Sequence, residues 1–181
     1  MDDRRRRFEA QVLPHLDAAY RFARRLAQSS ADAEDVVQDA LLRAYRGFDA
    51  LRGSDAKAWL LTIVRNCHST ALKQRMRRAQ VPLPEEQDSP DGRVLIATTP
   101  DPEVDSIRQD EERTLELLLA GIPEDYREIL ILREVEDMGY RQIAAIVDVP
   151  LGTVMSRLAR ARAMLRKHWL QRVDGAPRGV P

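Results

Sequence analysis

Asp148-Val-Pro-Leu-Gly-Thr-Val-Met-Ser-Arg-Leu-Ala-Arg-Ala-Arg-Ala-Met-Leu-Arg166 reads as a turn followed by a basic helix. Val154, Leu158, Ala161 and Leu165 recur at the spacing of one buried stripe. Ser156, Ala159, Arg160, Ala163 and Lys167 fall on the opposite side, flanked by Arg157, Arg162 and Arg166, and no acid interrupts the run from Val149 to Val173. Such a helix offers one face to a small core and one to something negatively charged. The preceding Tyr140 to Val147 predicts a short helix burying Ile143, Ala144 and Val147. Helix, short turn and second helix give the arithmetic of a helix-turn-helix. Asp148 stands where glycine is usual in the turn, and it tolerates left-handed backbone better than most residues. On duplex DNA, Thr153, Ser156 and Arg160 would reach the major groove and Arg157, Arg162 and Arg166 the phosphates.

Outward from that stretch, the composition is helical. The 181 residues are 44% apolar, 32% charged and only 5% aromatic, without long Val/Ile/Thr alternation. No apolar run approaches the roughly 20 residues needed to span a bilayer. Basic residues Arg4 to Arg7 lack a following apolar segment, so a signal peptide is not expected. The one cysteine, Cys67, fits a reducing cytosol and a cytoplasmic protein. Formal net charge is zero, but the charge is segregated. Residues 65–78 and 149–173 are purely basic, whereas Glu85 to Glu112 is strongly acidic. Local basic faces, rather than net charge, set contacts with phosphate.

In chain order, Phe8, Val12, Leu16, Tyr20, Ala23 and Leu26 pattern as a short helix, a break at Pro14 and a longer helix to about Ala27. Asp32 is a candidate N-cap for a helix to about Phe48, with Val36, Val37, Ala40, Leu41, Ala44 and Tyr45 inside. After a loop over Asp49 to Asp55, a helix from about Ala56 to Arg78 places Leu60, Val64, Cys67 and Ala71 on one face. Periodicity then disappears over about 79–105, where Pro82, Pro84, Pro90, Pro100 and Pro102 sit among acids; this predicts a linker without a core of its own. Helices are expected again over about 102–120, and from Pro123 to about Val135 with Tyr126, Ile129, Leu130, Leu132 and Val135 inside. The expectation is an all-α chain of two small helical domains, residues 1–78 and 110–172, with a flexible acidic, Pro-rich linker at 79–109 and a frayed tail at 173–181.

Asp32-Ala-Glu-Asp-Val-Val-Gln-Asp-Ala-Leu-Leu-Arg-Ala-Tyr45 and Ala58-Trp-Leu-Leu-Thr-Ile-Val-Arg-Asn66 resemble conserved region 2 of bacterial sigma factors. Ile122-Pro123 through Leu132-Arg-Glu134, Tyr140-Arg-Gln-Ile-Ala144 and Gly152 to Arg162 resemble region 4. Two such stretches, in that order and with nothing like region 3 between them, are similar to the extracytoplasmic-function (ECF) group of the sigma-70 family. The resemblance implies binding to core RNA polymerase, direction to a promoter, and help in opening it. It assigns Asp35, Gln38, Asp39 and Arg43 to the polymerase. It assigns Arg52, Ser54, Trp59, Thr62, Arg65, Asn66, Ser69, Lys73 and Arg77 to a single-stranded −10 element, and Trp59 is equally well read as a core residue. It assigns Thr153, Ser156, Arg157, Ala159, Arg160, Arg162 and Lys167 to a duplex −35 element, and it implies an anti-sigma partner. Two positions depart from the pattern: Met155, where many relatives carry Lys or Arg, and Gln142, where Glu is frequent.

Other chemistry finds little footing. His15, His68 and His168 lie far apart, and Cys67 beside His68 is not ligand spacing, so no metal site is expected. There is no phosphate-cradling glycine loop and no nucleophile constellation; neither a cofactor nor an enzymatic activity is expected. Cys67 falls on the apolar stripe, which favours a buried thiol over a redox sensor. Two further readings stay open at this stage. One is a repressor or activator that binds duplex DNA through Thr153 to Lys167 without polymerase, and the other a sigma-like protein that binds a regulator and not promoters.

Overall fold

The computed structural model describes residues 2–51, 53, 55–79 and 114–175. Phe8 sets the first corner: its ring meets Tyr45 and Phe48 edge-on, with centroids 5.1 and 5.4 Å apart, so α1 (Asp2–Gln11) closes over the end of α3 (Ser30–Arg46). Pro14 opens a single 3₁₀ turn (Leu13–His15) and α2 (Leu16–Leu26) follows, burying Ala18, Ala19, Phe22, Ala23 and Leu26. A proline tolerates the first turn because its missing N–H has no helical partner there. The predicted break at Pro14 is thus present, and the chain stays helical through it.

The N-cap of α3 is Ser29, not Asp32. Ser29 has extended backbone, its Oγ accepts from the Asp32 N–H at 3.1 Å, and the hydroxyl donates to Asp32 Oδ2 at 2.7 Å. The Ser29 hydroxyl satisfies one first-turn N–H and the Asp32 carboxylate holds that hydroxyl in place, so the helix begins at Ser30. α3 buries Ala33, Val36, Val37, Ala40 and Ala44 against α2 and α4 (Ala56–Ala79). The intervening segment is not all loop, since Phe48–Ala50 forms a 3₁₀ turn. Gly53, at φ +94, is in the region open to glycine.

α4 buries two adjacent faces. Leu60, Val64 and Cys67 lie on the expected stripe, but Ala71 is exposed; Leu61, outside the stripe, is fully buried. The Leu61 face meets the second half of the chain. That half comprises α5 (helical over 114–120), α6 (Glu124–Glu134), α7 (Tyr140–Val147) and α8 (Leu151–Gly175). Its buried residues, from Leu119 to Ala161, join Phe22, Leu61 and their neighbours in one apolar cluster, so the halves share a core. α6 explains the arrangement: Ile129, Leu130, Ile131 and Leu132 are all buried because α2, α7 and α8 surround it.

α4 runs one residue past the expected boundary at 78, and α8 continues through Gly175, past the expected tail at 173. Continuous helix-favouring sequence, Trp169 to Arg172 included, carries α8 that far. The linker over 80–109, the start of the helix expected near 102, and the tail from 176 lie outside the described residues. At the α5–α6 corner Gly121 packs against the His168 ring: a Cβ there would stand 2.6 Å from the ring and displace it, and the ring Nδ1 lies 3.2 Å from the Leu118 carbonyl.

Burial has a chemical consequence at Cys67. Its thiol is pushed up from 9.0 to about 11, chiefly by desolvation and then by the Asp39 carboxylate. About a hundredfold less thiolate forms at a given pH, and the thiolate is the reactive species. Iodoacetamide labelling of the folded protein is therefore expected to be at least about a hundredfold slower than in urea; comparable rates would place Cys67 at the surface.

Candidate nucleic-acid and polymerase interfaces

The α7–α8 pair is built as its sequence implies, except that α7 buries Ile146 with Ile143 and Val147 and leaves Ala144 only partly buried. The Gln142 Oε1 accepts from the Gly139 N–H at 2.7 Å, starting α7. Asp148 closes it with φ 53 and ψ 53, and the Val149 N–H returns to the Ala144 carbonyl at 3.1 Å. The Pro150 carbonyl then receives Thr153 and Val154 at 2.9 and 3.1 Å, setting the first turn of α8. Val154, Leu158 and Ala161 are buried against α6 and α7. Ser156, Ala159, Arg160 and Lys167 are exposed on the other side, with Thr153 half-buried at the leading end. The Ser156 hydroxyl donates to the Thr153 carbonyl at 3.1 Å, so its lone pairs face outward.

Two of the flanking arginines are otherwise engaged. Arg162 donates to Glu134 Oε1 from Nε at 2.9 Å and Nη2 at 2.6 Å, and this bond raises its pKa. Arg157 lies 3.1 Å from Asp125. Both are drawn toward α6, which leaves Thr153, Ser156, Ala159, Arg160 and Lys167 as the outer face. Met155 is 53% exposed beside it.

On α4, Thr62, Asn66, Ser69 and Lys73 follow at three- or four-residue spacing and share a face. Asn66, Lys73 and Arg77 are exposed and Ser69 is half-buried. The Thr62 hydroxyl is tied to the Ala58 carbonyl at 2.8 Å. Trp59 is partly buried against the core. Arg65 departs from this face: its Nε and Nη2 donate to the two oxygens of Glu128 at 3.0 and 3.3 Å. Arg52 and Ser54 lie outside the described residues.

On α3, Asp35, Gln38 and Arg43 are exposed and Asp39 is half-buried. Arg43 grips Asp39 through Nε at 3.1 Å and Nη2 at 2.8 Å. Asp35 and Asp39 line a groove of about 350 Å³ that also takes in Val36, Cys67, Arg75 and Glu124. Leu42, 53% exposed beside Gln38 and Asp39, was missed by sequence reasoning, although an apolar residue outside the inner stripe was a visible signal.

The stretches that carry all three faces fall within two known families. The Sigma-70 region 2 family matches residues 12–78 and the Sigma-70 region 4 family residues 112–165. The chain is 39% identical to the ECF RNA polymerase sigma-E factor of Escherichia coli K12 over 141 residues, which is 74% of this chain and 71% of that protein. The chain belongs to the ECF sigma factors of the sigma-70 family. It is 32% identical to the RNA polymerase sigma-H factor of Pseudomonas aeruginosa over 166 residues, 90% of this chain and 86% of that one. It matches the ECF RNA polymerase sigma factor SigE of Mycolicibacterium smegmatis at 32% over 159 residues, spanning 59% of that longer relative. Among solved structures, the sigma factor RpoE in complex with the anti-sigma factor NepR from Bartonella quintana superposes with a TM-score of 0.71 at 29% identity, covering 90% of this chain and 96% of that one. As an ECF sigma factor the chain acts in transcription initiation, and sigma factors are not themselves catalysts.

Sequence reasoning missed a set of acids in this sigma factor. Glu136 is fully buried and meets Arg21 Nη2 and Lys57 Nζ, each at 3.1 Å. Glu128 is nearly as buried, and its pKa is raised by desolvation, which outweighs the opposing pull of Arg65. A charged residue beside four consecutive apolar ones was the available signal, since Ile129 to Leu132 can be buried only if that helix is enclosed on every side.

Proposed function

We propose that this ECF sigma factor binds core RNA polymerase through the α3 face of Asp35, Gln38, Asp39 and Arg43. The α8 face then reads the −35 element as duplex, and the Phe48–Lys73 segment holds the opened −10 strand. The observation that supports this division is the pair of acid-free faces, one on each half: exposed Asn66 and Lys73 with half-buried Ser69 on α4, and exposed Ser156 and Arg160 with half-buried Thr153 on α8. Asn66 offers a donor and an acceptor to a base edge, and Lys73 and Arg77 offer charge to the backbone. Extruding a base costs a few kcal/mol of stacking, which these contacts must offset. The polymerase supplies the chemistry; the sigma factor is not an enzyme, carries no cofactor and acts in the cytoplasm. Among the described residues no helix is long and apolar enough to cross a membrane. The likeness to a sigma factor bound to NepR supports an anti-sigma partner. The functional units are residues 1–78 and 110–172, with 79–109 as the linker and 173–181 as a tail.

Asn66→Ala is expected to impair open-complex formation, read by permanganate reactivity of promoter thymines, while −35 duplex binding is unchanged. Equal loss of both would mean that the two contacts are misplaced. Arg160→Ala is expected to weaken −35 binding by about 1–3 kcal/mol through loss of a bidentate base contact. An unchanged promoter preference removes Arg160 from the readout.

A further inference from the structure

The leading end of α8 carries apolar surface as well as hydrogen-bonding groups. Leu151 is 41% exposed and Met155 is 53% exposed. They stand one turn apart, at i and i+4, with exposed Ala159 a further turn on. This apolar ridge runs beside Ser156 and Arg160, and no acid lies on the helix up to Val173. A Cβ added at Gly152, next to Leu151, would meet nothing of the surrounding fold within 4 Å, so the leading turn is open on that side. Apolar residues scattered singly over a surface need no account. Leu151 and Met155 differ from those in being paired on one ridge, at the end of the second helix whose residues reach base edges in a helix-turn-helix.

We infer, on the assignment of α8 to the −35 duplex proposed above, that Met155, backed by Leu151, reads the C5 methyl group of a thymine in that duplex. The contact gives this sigma factor a preference for an A·T pair that its arginines cannot supply. Met155 has no donor, so it cannot bind phosphate or the acceptor edge of guanine as a lysine or arginine there would. Among the four bases only thymine shows a methyl group to the major groove. The unbranched thioether is polarizable and adjusts to the shape of that methyl. Ser156 agrees with the choice. Its hydroxyl donates to the Thr153 carbonyl at 3.1 Å, which leaves lone pairs to accept from adenine N6. A G·C pair offers Ser156 a cytosine donor but gives Met155 no methyl, so the two side chains together favour A·T.

The test removes the methyl and nothing else. Promoters mapped by run-off transcription with core polymerase and the purified protein supply a duplex that carries the −35 element. Each thymine in that element is replaced in turn by uracil, which keeps every hydrogen-bonding group. Binding of the polymerase–sigma complex is then measured by gel shift, and the −10 contacts are common to every duplex compared. Wild type is expected to lose about fourfold in affinity at one thymine, the value for returning one methyl group to water. Met155→Ala is expected to bind the thymine duplex at least about fourfold more weakly than wild type, and to bind thymine and uracil duplexes equally. Arg160→Ala is expected to bind both more weakly while keeping the ratio between them. Met155 is exposed, so its truncation leaves no cavity, and the wild-type comparison needs no variant. No uracil effect in wild type, or one that survives Met155→Ala, overturns the methyl contact, while the −35 assignment stands on the loss with Arg160→Ala. Weaker polymerase binding by Met155→Ala without a uracil effect gives the ridge to a protein partner and overturns the contact as well. No specific transcript removes the −35 assignment itself, and the methyl contact falls with it.

Discussion

Arg65→Met is expected to destabilise the packed state of the two halves by about 3–5 kcal/mol at pH 7, because it strands a carboxylate rather than because it loses an attraction. Glu128 is 4% exposed at its side chain, and Arg65 supplies its bidentate partner. Burial already raises the Glu128 pKa, and Arg65 opposes that rise. Without Arg65 the pKa climbs further. A group whose folded pKa exceeds its unfolded value contributes stability at low pH that is lost as pH rises through the folded pKa. The deficit against wild type should therefore shrink between pH 7 and pH 5, as Glu128 takes up a proton. Urea unfolding followed by circular dichroism at the two pH values checks both parts. A deficit under about 0.5 kcal/mol at pH 7, or one that grows on acidification, contradicts this account of the contact.

Leu158→Ala is expected to cost the second half about 2–5 kcal/mol, the range for removing a fully buried leucine. Leu158 is 1% exposed and, with Val154 and Ala161, holds α8 on α6 and α7. Its loss leaves a cavity beneath the helix that carries the outer face, so −35 binding should fall with stability and recover at lower temperature. Met155→Ala, one turn away on the exposed side, should stay within about 0.5 kcal/mol of wild type in urea. Equal effects of the two substitutions would mean that the helix docks in another rotation.

The residues that announced themselves were those with an apolar period or a special backbone. Tyr140–Val147 was legible as a helix, and the left-handed turn at Asp148 followed from its chemistry. The α3 start was misread because Asp32 and Ser29 both cap well, and only the hydroxyl geometry places Ser29 outside and Asp32 within the first turn. The contact between halves was not legible. A stripe search finds one apolar face, whereas the second buried face of α4 is Lys57, Leu61, Arg65 and His68, three of them ionisable. For the same reason Arg65 read as a free phosphate contact: spacing along a helix does not reveal an acid from a segment sixty residues away. The composition of the linker marked a boundary between two domains, yet composition constrains the linker and leaves open how the ends pack.

Those findings bear on how the promoter faces are used. Asn66 and Lys73 are exposed on α4 and Ser69 is half-buried, whereas Arg65 is held by Glu128. On α8, Arg160 and Lys167 lie on the outer face, whereas Arg157 and Arg162 are held by Asp125 and Glu134. On the proposed division of promoter contacts, sequence-specific readout falls to fewer side chains than the count of basic residues suggests, with Arg160 first among them.

The most direct measurement is run-off transcription from genomic fragments by core RNA polymerase with and without the purified protein, alongside gel filtration of the mixture. The account predicts a stable complex and discrete transcripts that depend on the protein, lost with Asn66→Ala and reduced with Arg160→Ala. No complex and no specific transcript would contradict it.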